Sequence, residues 1–222
     1  MNLDPKLFEF LKKLEKNNNR VWFKKNKDQF DGFNQNIKQY FQSVYENHKG
    51  YFNWNNCKVF RIYRDVRFSK NKLPYKTHFG IAFHREKPKY RGGFYIHLDP
   101  KNSFIAAGFW DPNKDDLFRI RKEIEVDHEY FRAQIDNKKI KNLWGDLVGD
   151  KLKTTPKGFE KGHVANDLLQ FKQYIYSKNI DSKLIFSNEL EDFIVEHYKA
   201  LLPTLDYFGE VLTTDLNGEP LF

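Results

Sequence analysis

The chain has 222 residues, 40% of them hydrophobic and 17% aromatic (22 Phe, 12 Tyr and 4 Trp), which is enough for one domain with a large core and excludes disorder and collagen-like repeats. Cys57 is the single cysteine, so neither an intramolecular disulfide framework nor a thiolate metal site can form. The net charge is +8, but Lys and Asn share A-rich codons, so the Lys excess is weak evidence for a nucleic-acid partner and the distribution of charge says more.

Residues 61–101 hold 11 basic and 3 acidic side chains, while residues 163–222 hold 4 and 10. Such a split either neutralises itself inside the fold or leaves a positive face for an anion. The opening Met1-Asn2-Leu3-Asp4-Pro5 has no basic or apolar targeting region. The longest nearly apolar run, Phe104–Trp110, has 7 residues, against the roughly 20 of a membrane helix. The expectation is a cytoplasmic protein without a membrane partner.

In chain order, Asp4-Pro5 starts a helix carrying Leu7, Phe10, Leu11 and Leu14 on one face, and Asn17-Asn18-Asn19 ends it. Asn19 caps a second helix expected from Arg20 to Tyr45 along Trp22, Phe23, Phe30, Phe33, Ile37, Phe41 and Val44. The period then changes to two. Lys58–Phe68, Phe79–His84, Gly93–Asp99 and Ser103–Trp110 read as strands, and their short connections make neighbours antiparallel. Helices are expected over Lys114–Asp127 and His128–Ile135, and residues 137–159, with Gly145, Gly149, Pro156 and Gly158, read as irregular. A helix over Val164–Ser177, a short strand over Lys183–Phe186 and a last helix from Asn188 complete the chain. Glu191 fits a capping box with Asn188, and Pro203 kinks or ends the helix. The fold class is α+β: a single domain spanning residues 1–222, an antiparallel meander of four or five strands with helices before and after it.

Most catalytic motifs are absent. There is no phosphate-binding glycine loop, dinucleotide fingerprint, nucleophile elbow or zincin helix, since His128-Glu129 is followed by Arg132 where a second His is needed. His48, His78, His84, His97, His128, His163 and His197 are scattered, so neither a metal nor a cofactor is read from the sequence. Asp111, Asp115 and Asp116 suit the start of a helix better than a cation site.

One segment carries the chemistry, Phe60–Lys76. Arg is scarce in this chain, yet Arg61, Arg64 and Arg67 fall within seven residues. On a strand, Arg61, Tyr63, Asp65 and Arg67 share one face, where two guanidinium forks held by Asp65 grip a phosphate or carboxylate. Arg64 points to the apolar side and must be paired or sit at a bulge. Lys72, Tyr75 and Lys76 follow in a loop able to close over the same anion, with Lys70 beside them. The plainer alternative is a salt-bridge ladder on a solvated sheet face. His97 alternates with Tyr95 and Asp99 on a nearby strand; His97 and Asp65 are the acid–base candidates. Lys157, in the turn Pro156-Lys157-Gly158, offers an ammonium and a backbone N–H to an anion.

The run Phe60–Lys76 resembles the signature of the domain-of-unknown-function 2461 family, in which an Arg-x-x-Arg-Asp-x-Arg-Phe stretch leads into a Lys-x-Pro-Tyr-Lys loop. Asn18, Trp22 and Phe23 are similar to its N-terminal element, and Gly93, Tyr95, His97 and Leu98 to its Tyr-x-His-Leu strand. Gly108 and Trp110 match a Gly-x-Trp, and Leu152 with Pro156-Lys157-Gly158-Phe159 a further motif, so the resemblance covers residues 5–200. Asn71 and Leu73 stand where the pattern more often has Asp and Thr, so if that Asp serves the family as metal ligand or acid–base group, this chain lacks it. The resemblance implies no established activity.

Three functions are therefore open: binding of, and catalysis on, a phosphate-bearing or other anionic small molecule; single-stranded nucleic-acid binding through Tyr63, Phe68, Tyr75 and Tyr95 among basic side chains; and docking of an acidic protein partner.

Overall fold

The computed structural model describes residues 2–221. Helix α1 (Lys6–Lys16) buries Leu7, Phe8, Phe10, Leu11 and Leu14, and the Asp4 carboxylate accepts from the Lys6 N–H at 2.9 Å to close its first turn. The helix expected from Arg20 to Tyr45 is two. Helix α2 (Arg20–Lys25) is capped by Asn19, and α3 (Lys27–Phe52) runs seven residues further than expected. The break is at Asn26, whose side-chain amide donates to the Trp22 carbonyl at 2.8 Å while its backbone leaves helical geometry. Such local bonding is the usual way Asn interrupts a helix. Asn53, left-handed at φ 53°, then ends α3.

Strand β1 is Trp54–Val59, not Lys58–Phe68. Trp54 follows the helix end directly and lies stacked between Phe52 and Phe83, with ring centroids 4.5 and 4.1 Å away, which places the strand four residues earlier than its Arg-rich sequel suggested. Strands β2 (Phe79–Arg85), β3 (Gly93–Leu98) and β4 (Phe104–Phe109) lie within a residue or so of expectation. A fifth strand, β5 (Tyr174–Asn179), completes an antiparallel sheet ordered β1-β2-β3-β4-β5.

Helices α4 (Lys114–Val126) and α5 (His128–Ile135) match expectation. Helix α6 (Lys138–Trp144) forms inside the stretch expected to be irregular, because Asn137 caps it and Ile140 and Trp144, four residues apart, are both buried. The helix expected over Val164–Ser177 is only α7 (Asn166–Leu169), followed by β5. Tyr174 and Tyr176 alternate inward on that strand, and their hydroxyls donate to the Leu168 and Ile135 carbonyls at 3.3 and 3.4 Å. The approach of β5 to β4 depends on Gly108, at φ 142°, where a Cβ would lie 2.2 Å from the Tyr174 carbonyl oxygen. Residues 183–186 are not a strand: Asp181 caps α8 (Ser182–Ile185). Helix α9 (Leu190–Val211) continues through Pro203. Its expected capping box is absent because Glu191 instead accepts from Asn47 and lies 3.0 Å from His48.

The chain forms two compact units. One comprises the chain up to Phe83 with Tyr95–Ile105 and Asn179–Ile194; the other comprises His84–Phe94, Ala106–Lys178 and the chain from Val195 onward. In the first unit, Phe30 and Phe41 of α3 meet Phe79 and Phe83 of β2 at 5.8 and 6.3 Å. Alternation along β3 leaves Tyr95 and His97 half-buried while Phe94, Ile96 and Leu98 are buried. In the second unit, the fully buried Arg85 is held by Asp206 and by the Arg91 carbonyl at 3.3 Å.

Gly108→Ala should cost about 3 kcal/mol or more in urea unfolding, combining a strained backbone with the clash at Tyr174. Gly32→Ala, a helix position with nothing within 4 Å of the added methyl, should instead gain up to about 1 kcal/mol.

Candidate functional site

Past β1 the chain is a loop rather than a strand, so Arg61, Tyr63, Asp65 and Arg67 do not share a sheet face. Phe60 still donates its N–H to the Gly80 carbonyl at 2.9 Å. The chain then turns back on itself through a bridge between Tyr63 and Tyr75, with the Arg64 N–H on the Pro74 carbonyl and the Lys76 N–H on the Ile62 carbonyl. The loop is fastened from outside by Asn18. Its amide donates to the Tyr75 carbonyl at 3.0 Å and its oxygen accepts from the Tyr75 N–H at 3.1 Å. Tyr75 is buried and stacked on Phe23 at 4.0 Å.

This arrangement sorts the expected anion ligands. Arg67 is exposed and committed to Asp65, whose two oxygens accept from its Nε and Nη2 at 3.0 and 2.7 Å; these bonds hold the Asp65 carboxyl below its usual range. Lys72 Nζ donates to the Val66 carbonyl at 2.9 Å. Arg61 is exposed and acts electrostatically on both Asp65 and Lys76. Tyr75 is a structural anchor. Lys157 is exposed in the other unit and makes none of the contacts that gather the rest. What remains is Arg64 and Lys76, both half-buried. Neither has an ion-pair partner among the described residues. Burial, then Arg61 and Arg64, pull the Lys76 pKa down.

Beside them lie two imidazoles. His78 sits just before β2 and His97 on β3, with ring centroids 4.1 Å apart and planes inclined at 34°. Burial comes first, followed by His97 and Lys76, in pulling the His78 pKa down to about 4, against the opposing pull of Asp99. Burial likewise lowers His97, and Asp99 opposes it. Both rings are therefore neutral near pH 7. Tyr95 Oη lies 3.0 Å from His97 Nδ1, and Phe104 stacks on the His97 ring at 4.7 Å. Gly80 makes room for this face, since a Cβ there would stand 2.7 Å from the Tyr95 hydroxyl. Asp99 follows β3, its Oδ1 accepting from the Lys101 N–H at 2.8 Å. Ser103 Oγ accepts from the Asp99 N–H and donates to its carbonyl.

His78 and Asp99 were not chosen as site residues from the sequence. Asp99 was visible two positions from His97, but only the register of β2 against β3 brings His78 to them. Two cavities are lined by other residues than these cations and Tyr75. One, of about 660 Å³, lies between α3 and β1 along Lys38, Gln42 and Cys57, and another, of about 300 Å³, is lined by Arg119, Tyr207 and Asp215.

The motif stretches matched above are thus in contact: Asn18 and Phe23 on Tyr75, and Tyr95 on His97. A family model described as conserved hypothetical protein (DUF2461) matches residues 6–207. The chain belongs to this family. DUF2461 carries no activity in its description, and neither a curated protein nor a solved structure matches the chain. No helix among the described residues of this DUF2461 protein is long and apolar enough to cross a membrane.

Asn18→Ala removes both hydrogen bonds to a half-buried backbone segment. It should cost about 2 kcal/mol and raise amide exchange selectively over residues 63–76, measurable by hydrogen–deuterium exchange.

Proposed function

We propose that this protein binds a phosphate-bearing or other anionic small molecule at the cluster of Arg64, Lys76, His78 and His97. The observation that carries this is the placement of Arg64 and Lys76. They are half-buried and close enough to act on one another, with no carboxylate paired to either among the described residues. Two cations brought together away from water are costly unless an anion completes them. Arg supplies a planar fork for two anion oxygens, and Lys a point charge. The imidazoles beside them, held neutral by burial, add no further positive charge. Cytoplasmic residence belongs to the same proposal, a chain with one half-buried thiol being suited to a reducing compartment.

Thermal-shift measurements in chelator and low salt test it, with inorganic phosphate, nucleotides and phosphosugars as probes. A probe at 100 times its dissociation constant adds about 2.7 kcal/mol of stability. Lys76→Ala and Arg64→Ala should each abolish that shift, while Arg67→Ala, which removes an exposed ion pair with Asp65 and a cation–π contact on Phe68, should retain it. An unchanged shift in Lys76→Ala, or none with any probe, overturns the proposal.

A second reading has one observation in its favour. Phe68 is 95% exposed among Arg67, Lys70 and Lys72, a base-stacking platform within a basic loop. Under that reading oligonucleotides, and not phosphate, bind with a steep salt dependence that Phe68→Ala weakens.

A further inference from the structure

Three side chains with ligating atoms, His78, His97 and Asp99, lie together beside the anion cluster. His78 has no hydrogen bond among the described residues. Tyr95 occupies His97 Nδ1, which leaves Nε2. Lys101 occupies Asp99 Oδ1, which leaves Oδ2. The ligand atoms of these three side chains lie within 4.8 Å of one another, and all three residues are half-buried. We propose that His78, His97 and Asp99 bind a first-row divalent transition-metal ion.

The donor chemistry selects the class of ion. Two imidazoles and one carboxylate suit Zn²⁺, Fe²⁺, Co²⁺ or Mn²⁺, whereas Ca²⁺ and Mg²⁺ prefer shells of oxygen alone. Three protein ligands leave positions open, as in metal sites that bind a substrate rather than sites that only brace a fold. Two of the three ligands are already oriented by an outer shell. The Tyr95 hydroxyl steadies the His97 ring through Nδ1, and the Lys101 N–H holds the Asp99 carboxylate at a turn that Ser103 locks. His78 enters from just before β2. Ligands at about 2.1 Å from one ion stand closer together than 4.8 Å, and small side-chain rotations close that difference.

Arg64 and Lys76 oppose a bare dication next door, while Asp99 supplies one negative charge. An anion in the open positions removes the remaining opposition, so metal and anion should strengthen each other's binding by about tenfold. This coupling, unlike the metal site itself, rests on the anion-binding function proposed above.

The test is titration of chelator-stripped protein with Co²⁺, read by its visible ligand-field absorption, first in anion-poor buffer and then with sulfate, which keeps Co²⁺ in solution. One Co²⁺ should bind per chain, be displaced by Zn²⁺ and resist excess Mg²⁺ and Ca²⁺. His78→Gln and Asp99→Asn should each weaken it by roughly 100-fold or more, and Tyr95→Phe by about 10-fold. Should a variant fail to fold, paramagnetic broadening of the His78 and His97 imidazole resonances by Co²⁺ answers the question on the unmodified chain. Absence of a one-to-one band, binding unchanged in folded Asp99→Asn, or broadening confined to other histidines overturns the site. Co²⁺ bound at these ligands but indifferent to sulfate supports the metal site and counts against the anion function. A phosphate shift in chelator without any Co²⁺ band does the reverse.

Discussion

The loop that carries the candidate site is fastened by a single side-chain amide. Residues 60–78 connect two neighbouring strands without being strand or helix themselves, and a loop of that length would ordinarily be mobile. Asn18 supplies the partner a strand would have had, one donor and one acceptor on the backbone of Tyr75. Phe23 secures the same residue through its ring. Lys76 and His78 follow within three positions, so the places of a charged and a neutral group are tied to a residue in the connection between α1 and α2. This explains why a signature spread over the chain reads as disconnected: Asn18, Phe23 and Tyr75 form one contact.

Much of the architecture was legible because local and tertiary preferences agree. The alternation in β2, β3 and β4 and the capped, amphipathic α1, α4 and α5 give the same answer at both levels. The departures arose where a short-range competitor or a distant partner decided. Asn26 splits a continuous apolar stripe by bonding back to Trp22. Residues 174–179 become strand because Gly108 admits the Tyr174 carbonyl, which no local pattern reveals. Trp54 begins its strand as soon as Asn53 ends α3, and that shift removes the Arg run from the sheet. The site was legible as residue types but not as an arrangement. Arg64, Lys76 and His97 were named from the sequence, whereas His78 and Asp99 join them only through the β2–β3 register.

Charge is distributed with a division of labour. Arg67, Arg85, Arg91, Arg119 and Arg132 each meet a carboxylate, and the pair between Arg85 and Asp206 joins the basic block to the acidic end of the sequence. That accounts for part of the charge asymmetry as internal neutralisation. Arg64 and Lys76 stand outside this pairing, although the chain has 30 acidic side chains to offer. Burial and unpaired charge coincide there, next to imidazoles held neutral.

The solitary thiol has a practical consequence. Cys57 lies half-buried on β1, an edge of the sheet, and burial raises its pKa to about 11. At neutral pH only about one molecule in ten thousand carries the thiolate, some hundreds of times fewer than for a solvated cysteine. Alkylating reagents therefore react slowly with Cys57 even though it lines the cavity between α3 and β1. The rate of that single reaction, followed by mass, reports how strongly this edge of the sheet keeps its thiol protonated.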